Sequence, residues 1–265
     1  MPDLDLILSD LRAEHAALDR IVAELDDATW EKATPAEGWN IRDQVGHLAF
    51  FDEQAALALH DQEAFAESLR EIVKDVGGYM DRSIQKGRTI GNAGVLEWWR
   101  TAREEMLEAA LGVDPKARIP WYGPPMSPAS FFTARMMETW AHAQDVVDTL
   151  GVMRSTEPRI KHIAHLCVLS RRHSYAVNGM DEPNSEVFVV LGGPEGETWS
   201  WGDEHAAHRI SGTAEDFCLV VTQRRHPDDT DLVIEGDEAR KWMSVAQAFA
   251  GPPGSGREPG QFPRG

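Results

Sequence analysis

Glu138 and His142 stand four residues apart. On a helix that spacing sets their Cβ atoms about 6 Å from one another, so that a carboxylate oxygen and an imidazole nitrogen can reach one cation. Two ligands from one helix need a third from another element. His47, on an earlier apolar-striped segment, supplies it where a bundle brings two facing helices within side-chain reach. A His, Glu, His set leaves at least one coordination position for water or substrate, the pattern of a catalytic rather than a closed structural zinc site. The same residues also suit a plainer arrangement, with Arg135, Glu138 and His142 paired along a solvated helix face and His47 a half-buried histidine beside Phe50 and Phe51. E-x-x-x-H is short and recurs by chance, so the spacing alone leaves both arrangements open.

The elements that must position these side chains read as a helical bundle over the first 150 residues. Leu4, Leu8, Leu11, Leu18, Val22 and Leu25 recur at helical spacing, with His15 on the same stripe as a core-edge histidine hydrogen-bonded to a neighbour, and the helix frays over residues 26–29. A turn at residues 34–39 leads to Asn40, a capping residue, and Asp43, which stabilises the positive end of a second helix running to about His60. Asp52 falls near the middle of that helix's apolar face; it and Asp145 are candidate acceptors for orienting a ligand imidazole. A third helix is expected over residues 62–85, ending near Lys86 and Gly87, and a fourth over residues 92–111. A rigid loop at residues 119–126 presents Trp121, Tyr122 and Met126 as walls of a pocket mouth, with ordinary core packing as their alternative. Ser127 or Ser130 caps the last helix, which Gly151 closes.

Composition narrows the classes. Forty-four acids against 26 Lys and Arg give a net charge of −18, and the field of such a chain repels nucleic acid. Nine Trp and nine Phe within a 42% hydrophobic chain can build a core, which excludes a disordered tail. No apolar run approaches the ~20 residues that span a bilayer, and Met1-Pro2-Asp3-Leu4-Asp5 is acidic where a signal peptide is basic, so a cytoplasmic location is expected. Cys167 and Cys218 each sit in an apolar stretch and read as buried reduced thiols. A thiol needed for chemistry therefore comes from outside the chain.

After residue 152 the pattern changes. A helix is expected from Pro158 to about Tyr175, where His162, His165 and His173 read as surface or packing histidines. Strands follow at residues 186–191, 198–201, 206–211 and 231–235, with a helix capped by Thr213 and another over residues 237–248. The Gly-Gly-Pro turn at residues 192–194 lacks the Gly-Lys-Ser/Thr of a phosphate loop and lies between strands. Arg224 and Arg225 form a basic cluster that also suits a helix end. Residues 251–265, rich in Gly and Pro, read as extended or mobile.

The segment Glu37-Gly38-Trp39-Asn40-Ile41-Arg42-Asp43-Gln44-Val45-Gly46-His47-Leu48, followed about ninety residues later by Arg135-Met136-Met137-Glu138-Thr139-Trp140-Ala141-His142-Ala143-Gln144-Asp145, resembles the DinB-like metalloenzymes, and within them the mycothiol-dependent maleylpyruvate isomerase group. The resemblance implies an N-terminal four-helix bundle over residues 1–152 that binds a divalent ion, most often Zn2+, through His47, Glu138 and His142. It also implies a low-molecular-weight thiol cofactor, mycothiol, whose sulfur meets the metal. The later element order is similar to a sterol-carrier-like α+β domain, placed over residues 153–250 with a tail over 251–265, and implies that Arg224 or Arg225 approaches the metal site. Arg135 is a candidate for holding a substrate or cofactor carboxylate, with a salt bridge to Glu138 as its alternative, and Trp121 and Tyr122 are candidates for cofactor contact. The activity expected is a transferase or cis-trans isomerase working on a small electrophilic metabolite through a metal-bound thiolate. A binding module without turnover and a hydrolase using metal-bound water are the alternatives. The expected partners are substrate and thiol alone, with no nucleic acid or membrane and with oligomeric state open.

Overall fold

In a computed structural model of the chain, residues 3–74 and 76–262 are described. Residue 75 of the expected third helix and residues 263–265 of the expected tail lie outside them, and so do the side chains of residues 72–77 and 79–81. The chain divides into two compact units, Met1–Arg154 and Ser155–Gly265.

The first unit is helical: α1 Leu4–Val22, α2 Asp27–Trp30, α3 Ile41–His60, α4 Gln62–Lys74, α5 Val76–Ala109 and α6 Pro128–Leu150. Each long helix that frames the site starts where a polar side chain satisfies its open amides. Asp3 accepts from Asp5 and Leu6 at the head of α1. Asn40 and Asp43 form a reciprocal capping box at the head of α3. Ser127, of the two serines expected to cap, accepts from Ser130 N at α6, where Pro128 fills the first turn, and Gly151 closes the helix in the left-handed region.

Two departures from expectation follow from local chemistry. Residues 26–29 do not fray: Asp26 accepts from Thr29 N and caps the short α2, which buries Trp30. The break expected at Lys86 and Gly87 falls instead at Gly91, the single non-helical residue inside α5, with φ 73°. Gly87 stays helical because α3 lies against it. A Cβ on Gly87 would stand 3.1 Å from Val95, and Gly46 faces it across the contact.

The core gathers Val22, Trp30, Ile41, Val45, Leu48 and Trp99 together with Val95 and Val146. α6 is wrapped on nearly every face, burying Phe131, Phe132, Arg135, Met136, Trp140 and Asp145. The solvated face considered for Glu138 and His142, and the exposed position considered for Asp145, are thereby corrected: α6 lies against both α1 and α3. His15 is likewise corrected from a hydrogen-bonded core-edge residue, being 2% exposed with no hydrogen-bond partner at either ring nitrogen.

The second unit is α7 Ile160–Leu169, α8 Arg171–Val177, β1 Val187–Gly192, β2 Thr198–Trp201, β3 His208–Thr213, α9 Ala214–Val221, β4 Val233–Glu235 and α10 Asp237–Val245. Its sheet runs β2-β1-β3-β4, parallel only between β1 and β3, where Val189 pairs with Ile210. The helix expected as one piece to Tyr175 is two, because at Ser170 the chain bonds back on Cys167. Cys167 and Cys218 are buried free thiols. The tail is not loose: Asp229 accepts from Gly260 N at 2.8 Å and Phe262 N at 3.2 Å, and Gln247 donates to the carbonyls of Phe249, Gly251 and Pro252.

Candidate metal centre

Two facing helices and one turn build the site. His47 lies in the second turn of α3, while Glu138 and His142 occupy one face of α6. The packing of α3 on α6 brings one ligand atom from each of the three residues within 4.8 Å of the others, a grouping found once among the described residues. His142 Nε2 stands 3.5 Å from Glu138 Oε2, and the imidazole centroids of His47 and His142 are 4.7 Å apart. Both histidines are largely buried, at 9% and 8% exposure, and Glu138 is half-buried. Two imidazoles and a carboxylate converging this closely match the donor set and open coordination of a divalent ion.

The other ring nitrogens are engaged by residues for which sequence reasoning assigned no role. His47 Nδ1 lies 3.2 Å from Ser83 Oγ, and His142 Nδ1 meets Gln44 Oε1. Gln44 Nε2 donates to Thr34 Oγ1 at 2.9 Å, which in turn donates to the carbonyl of Trp39 at 3.0 Å. One signal was available: Gln44 precedes His47 by three residues, a spacing that puts both on one helix face.

Aromatic rings enclose the centre. The Trp39 ring lies 5.0 Å from His47 and nearly parallel to His142 at 6.1 Å, and Phe51 lies 4.6 Å from His47. From Phe51 the collar continues to Tyr122 at 5.4 Å and Trp121 at 6.5 Å, and Trp121 stacks on Phe65 with 4° between planes. The structure thus places Trp121 and Tyr122 in a ring cluster that reaches the histidines.

Asp52 and Arg135 occupy different positions from those considered. Asp52 orients neither ligand imidazole. Its Oδ1 accepts from Arg135 Nε at 3.0 Å and Nη2 at 2.8 Å, and its Oδ2 accepts from Trp99 Nε1 at 3.2 Å. Arg135 bonds Asp52 rather than Glu138. Burial pushes the Asp52 carboxyl above the usual range, while the charge and hydrogen bonds of Arg135 pull it back. Arg224 and Arg225 belong to the second unit, where Arg224 donates to the Thr222 carbonyl and Arg225 to that of Arg224, with its guanidinium 4.2 Å over Phe262. Arg225 lines a cavity of about 380 Å³ in that unit together with His226, Arg240 and Arg257.

A helical bundle whose facing helices close two imidazoles and a carboxylate on one point, followed by a small α+β unit, defines the class as a two-part candidate metalloprotein. The family model described as the mycothiol maleylpyruvate isomerase N-terminal domain matches residues 11–147, and the chain belongs to that family. Two uncharacterized proteins of Mycobacterium tuberculosis, from strains CDC 1551 and H37Rv, are each 44% identical over 257 residues, spanning 97% of this chain and all of the relative. Among solved structures, the mycothiol-dependent maleylpyruvate isomerase and a histidine-to-alanine mutant of it are similar, each with TM-score 0.62 and 14% identity over 89% of this chain and 95% of the other. At that identity the likeness is one of fold, a helical domain followed by a small α+β domain. Among the described residues, no helix is long and apolar enough to cross a membrane.

Proposed function

We propose that this chain is a divalent-metal-dependent and mycothiol-type thiol-dependent enzyme, an isomerase or S-transferase for a small electrophilic metabolite. The observation that carries the reading is the convergence of His47, Glu138 and His142 within 4.8 Å, inside the span that matches the isomerase family. In this reading those three residues hold the ion, with zinc the expected metal. Bound there, a divalent ion lowers the proton affinity of a thiol sulfur, and the thiolate is the reactive form.

The chain's own side chains do the rest. Gln44 and Ser83 contact the far nitrogens of the ligand rings, and Trp39, Phe51, Trp121 and Tyr122 limit water around the centre and offer flat faces to cofactor or substrate. Cys167 and Cys218 are buried in the second unit, so the sulfur is brought by a cofactor. Arg135 ties α6 to α3 through Asp52. The division at residues 152 and 250, a cytoplasmic location, and partners limited to thiol and small substrate belong to the same proposal.

Metal analysis of protein purified without chelator tests it. About one ion per chain is expected in the wild type, and far less in His142→Ala and Glu138→Gln. Equal metal in all three removes the site. In cobalt-substituted protein, added mycothiol is expected to produce a sulfur-to-metal charge-transfer band. Intact cobalt binding with no such band removes the thiol and leaves hydrolysis or binding without turnover.

A further inference from the structure

We propose that Thr34 and Gln44 are positioning residues that select the tautomer of His142, through a one-way relay of hydrogen bonds starting at the main-chain carbonyl of Trp39. The inference rests on reading His142 as a metal ligand, and it concerns how the chain prepares that ligand.

The direction of the relay follows from what each atom can do. The Trp39 carbonyl oxygen can only accept, and it accepts from both the amide of Thr34, at 2.7 Å, and the Thr34 hydroxyl, at 3.0 Å. With its proton committed to Trp39, Thr34 Oγ1 has only lone pairs left, and it receives Gln44 Nε2 at 2.9 Å. That contact fixes which end of the carboxamide is which. Gln44 Oε1 then faces His142 Nδ1, and a carboxamide oxygen carries no proton, so the proton between them belongs to Nδ1.

In the neutral ring, His142 Nε2 is thereby left with its lone pair, aimed to within 3.5 Å of Glu138 Oε2. Two acceptors face each other there, and a cation between them relieves the opposition. Reversing the amide of Gln44 would set its NH2 against Nδ1, protonate Nε2 and block the ligand atom. The reversal would also take the Thr34 hydroxyl away from Trp39, and losing one buried hydrogen bond disfavours it by a factor of about five to ten. Gln44 is fully buried and Thr34 nearly so, which keeps water from replacing either partner.

The turn before α3 accounts for the origin of the relay. Gly38, at φ 77°, lets residues 34–39 double back so that the Trp39 carbonyl points at Thr34, while the Trp39 indole lies 15° from parallel with the His142 ring. One turn thus holds the ring plane with an indole and sets the ring's proton with a carbonyl.

The experiment uses metal-free full-length protein with 15N-labelled histidine, in which long-range 1H–15N correlation spectra distinguish the two neutral tautomers. The His142 signal is assigned by its loss in His142→Ala. The expected result is the Nδ1–H form in the wild type, and a rise of the Nε2–H form in Thr34→Val and Gln44→Met. Zinc affinity is read separately by chelator competition. Gln44→Met is expected to weaken it roughly 10- to 100-fold, the range of other partners of ligand imidazoles. Thr34→Val, two hydrogen bonds removed from the ligand nitrogen, is expected to weaken it about five- to tenfold. Gln44→Glu, which keeps an acceptor opposite Nδ1 but draws the Thr34 hydroxyl away from Trp39, is expected to keep the Nδ1–H form, and an Nε2–H ring in it counts against the relay. An Nε2–H wild type, or zinc affinity unchanged in both folded Gln44→Met and Thr34→Val, overturns the relay. A wild type that is Nδ1–H but binds no zinc upholds the relay and overturns the metal assignment instead. If Gln44→Met does not fold, Thr34→Val and its tautomer decide the matter.

Discussion

Replacing Asp52 by Ala removes a carboxylate that is fully buried in the middle of α3. Three hydrogen bonds end on it: Arg135 Nε at 3.0 Å, Arg135 Nη2 at 2.8 Å and Trp99 Nε1 at 3.2 Å. Without it the Arg135 guanidinium, in a residue only 3% exposed, is a buried cation with its main partner gone. Breaking a buried pair from one side costs about 3–5 kcal/mol, because the stranded charge keeps its desolvation penalty and loses its compensation. For a unit of this size, at about 2–4 °C per kcal/mol, the midpoint of its thermal transition should fall by roughly 6–20 °C. Arg135→Met should be costly as well, since it leaves the Asp52 carboxyl buried with only Trp99 and a distant His15, whose Nε2 is 4.0 Å away. The double variant Asp52→Leu with Arg135→Met takes both charges out together and should lie within about 1 kcal/mol of wild type, because well-packed apolar groups usually replace a buried ion pair at little cost. Urea unfolding of the full chain, followed by Trp fluorescence, ranks wild type, the two single variants and the double variant. An Asp52→Ala cost under about 1 kcal/mol, or a double variant as unstable as the worse single one, refutes the reasoning. The double variant also separates two roles for Arg135. If the pair only ties helices, zinc content and turnover persist in it.

Three further outcomes are expected. Burial first, and then the charges of Arg103, Arg135 and Arg12, hold the His15 pKa well below 6.5. Unfolded His15 therefore takes a proton near pH 6.5 while the folded residue does not, so its contribution to stability is complete above that pH and is lost on acidification, by up to about 1.4 kcal/mol per pH unit. His15→Leu should flatten the dependence of the urea midpoint on pH between about 5.5 and 7.5, and an unchanged slope refutes the assignment. Gly236→Ala should cost about 1–3 kcal/mol in the unfolding of the second unit, because φ is 84° and the new Cβ would collide with His208 Nδ1; a midpoint equal to wild type counts against it. Asp229→Ala removes the acceptor of the Gly260 and Phe262 amides, and tryptic cleavage after Arg257 should quicken by about five- to tenfold for each of these two hydrogen bonds; an unchanged rate means that other contacts hold the tail.

Periodicity, capping residues and glycine ends depend on neighbours a few positions away, and they made most of the helices legible. The Asn40–Asp43 box, Ser127 and Gly151 are local chemistry and could be read directly from the chain. The kink at Gly91 could not be told from one at Gly87 by the same means, since what keeps Gly87 helical is Val95 and the opposing Gly46 of another helix. The tail was half legible for the same reason: Gly and Pro announce irregular backbone, as residues 251–262 have, but whether it is held depends on Asp229 and Gln247, buried in a different part of the unit.

In the site the division runs between ligand type and ligand setting. The grouping of His47, Glu138 and His142 was legible through the resemblance, which joined to a histidine on another helix a Glu-x-x-x-His pair that spacing alone left open. Gln44 and Asp52 show what spacing leaves undecided. Both lie on α3 within five residues of His47, and a carboxylate is the commoner partner for a ligand imidazole. Asp52 is drawn away by Arg135 and Trp99, which satisfy its charge, so the neutral amide of Gln44 is left facing His142. The neutral partner has a chemical consequence: a carboxylate accepts at either oxygen, whereas a carboxamide must be oriented before it can accept, which is why a hydroxyl and a main-chain carbonyl stand behind it.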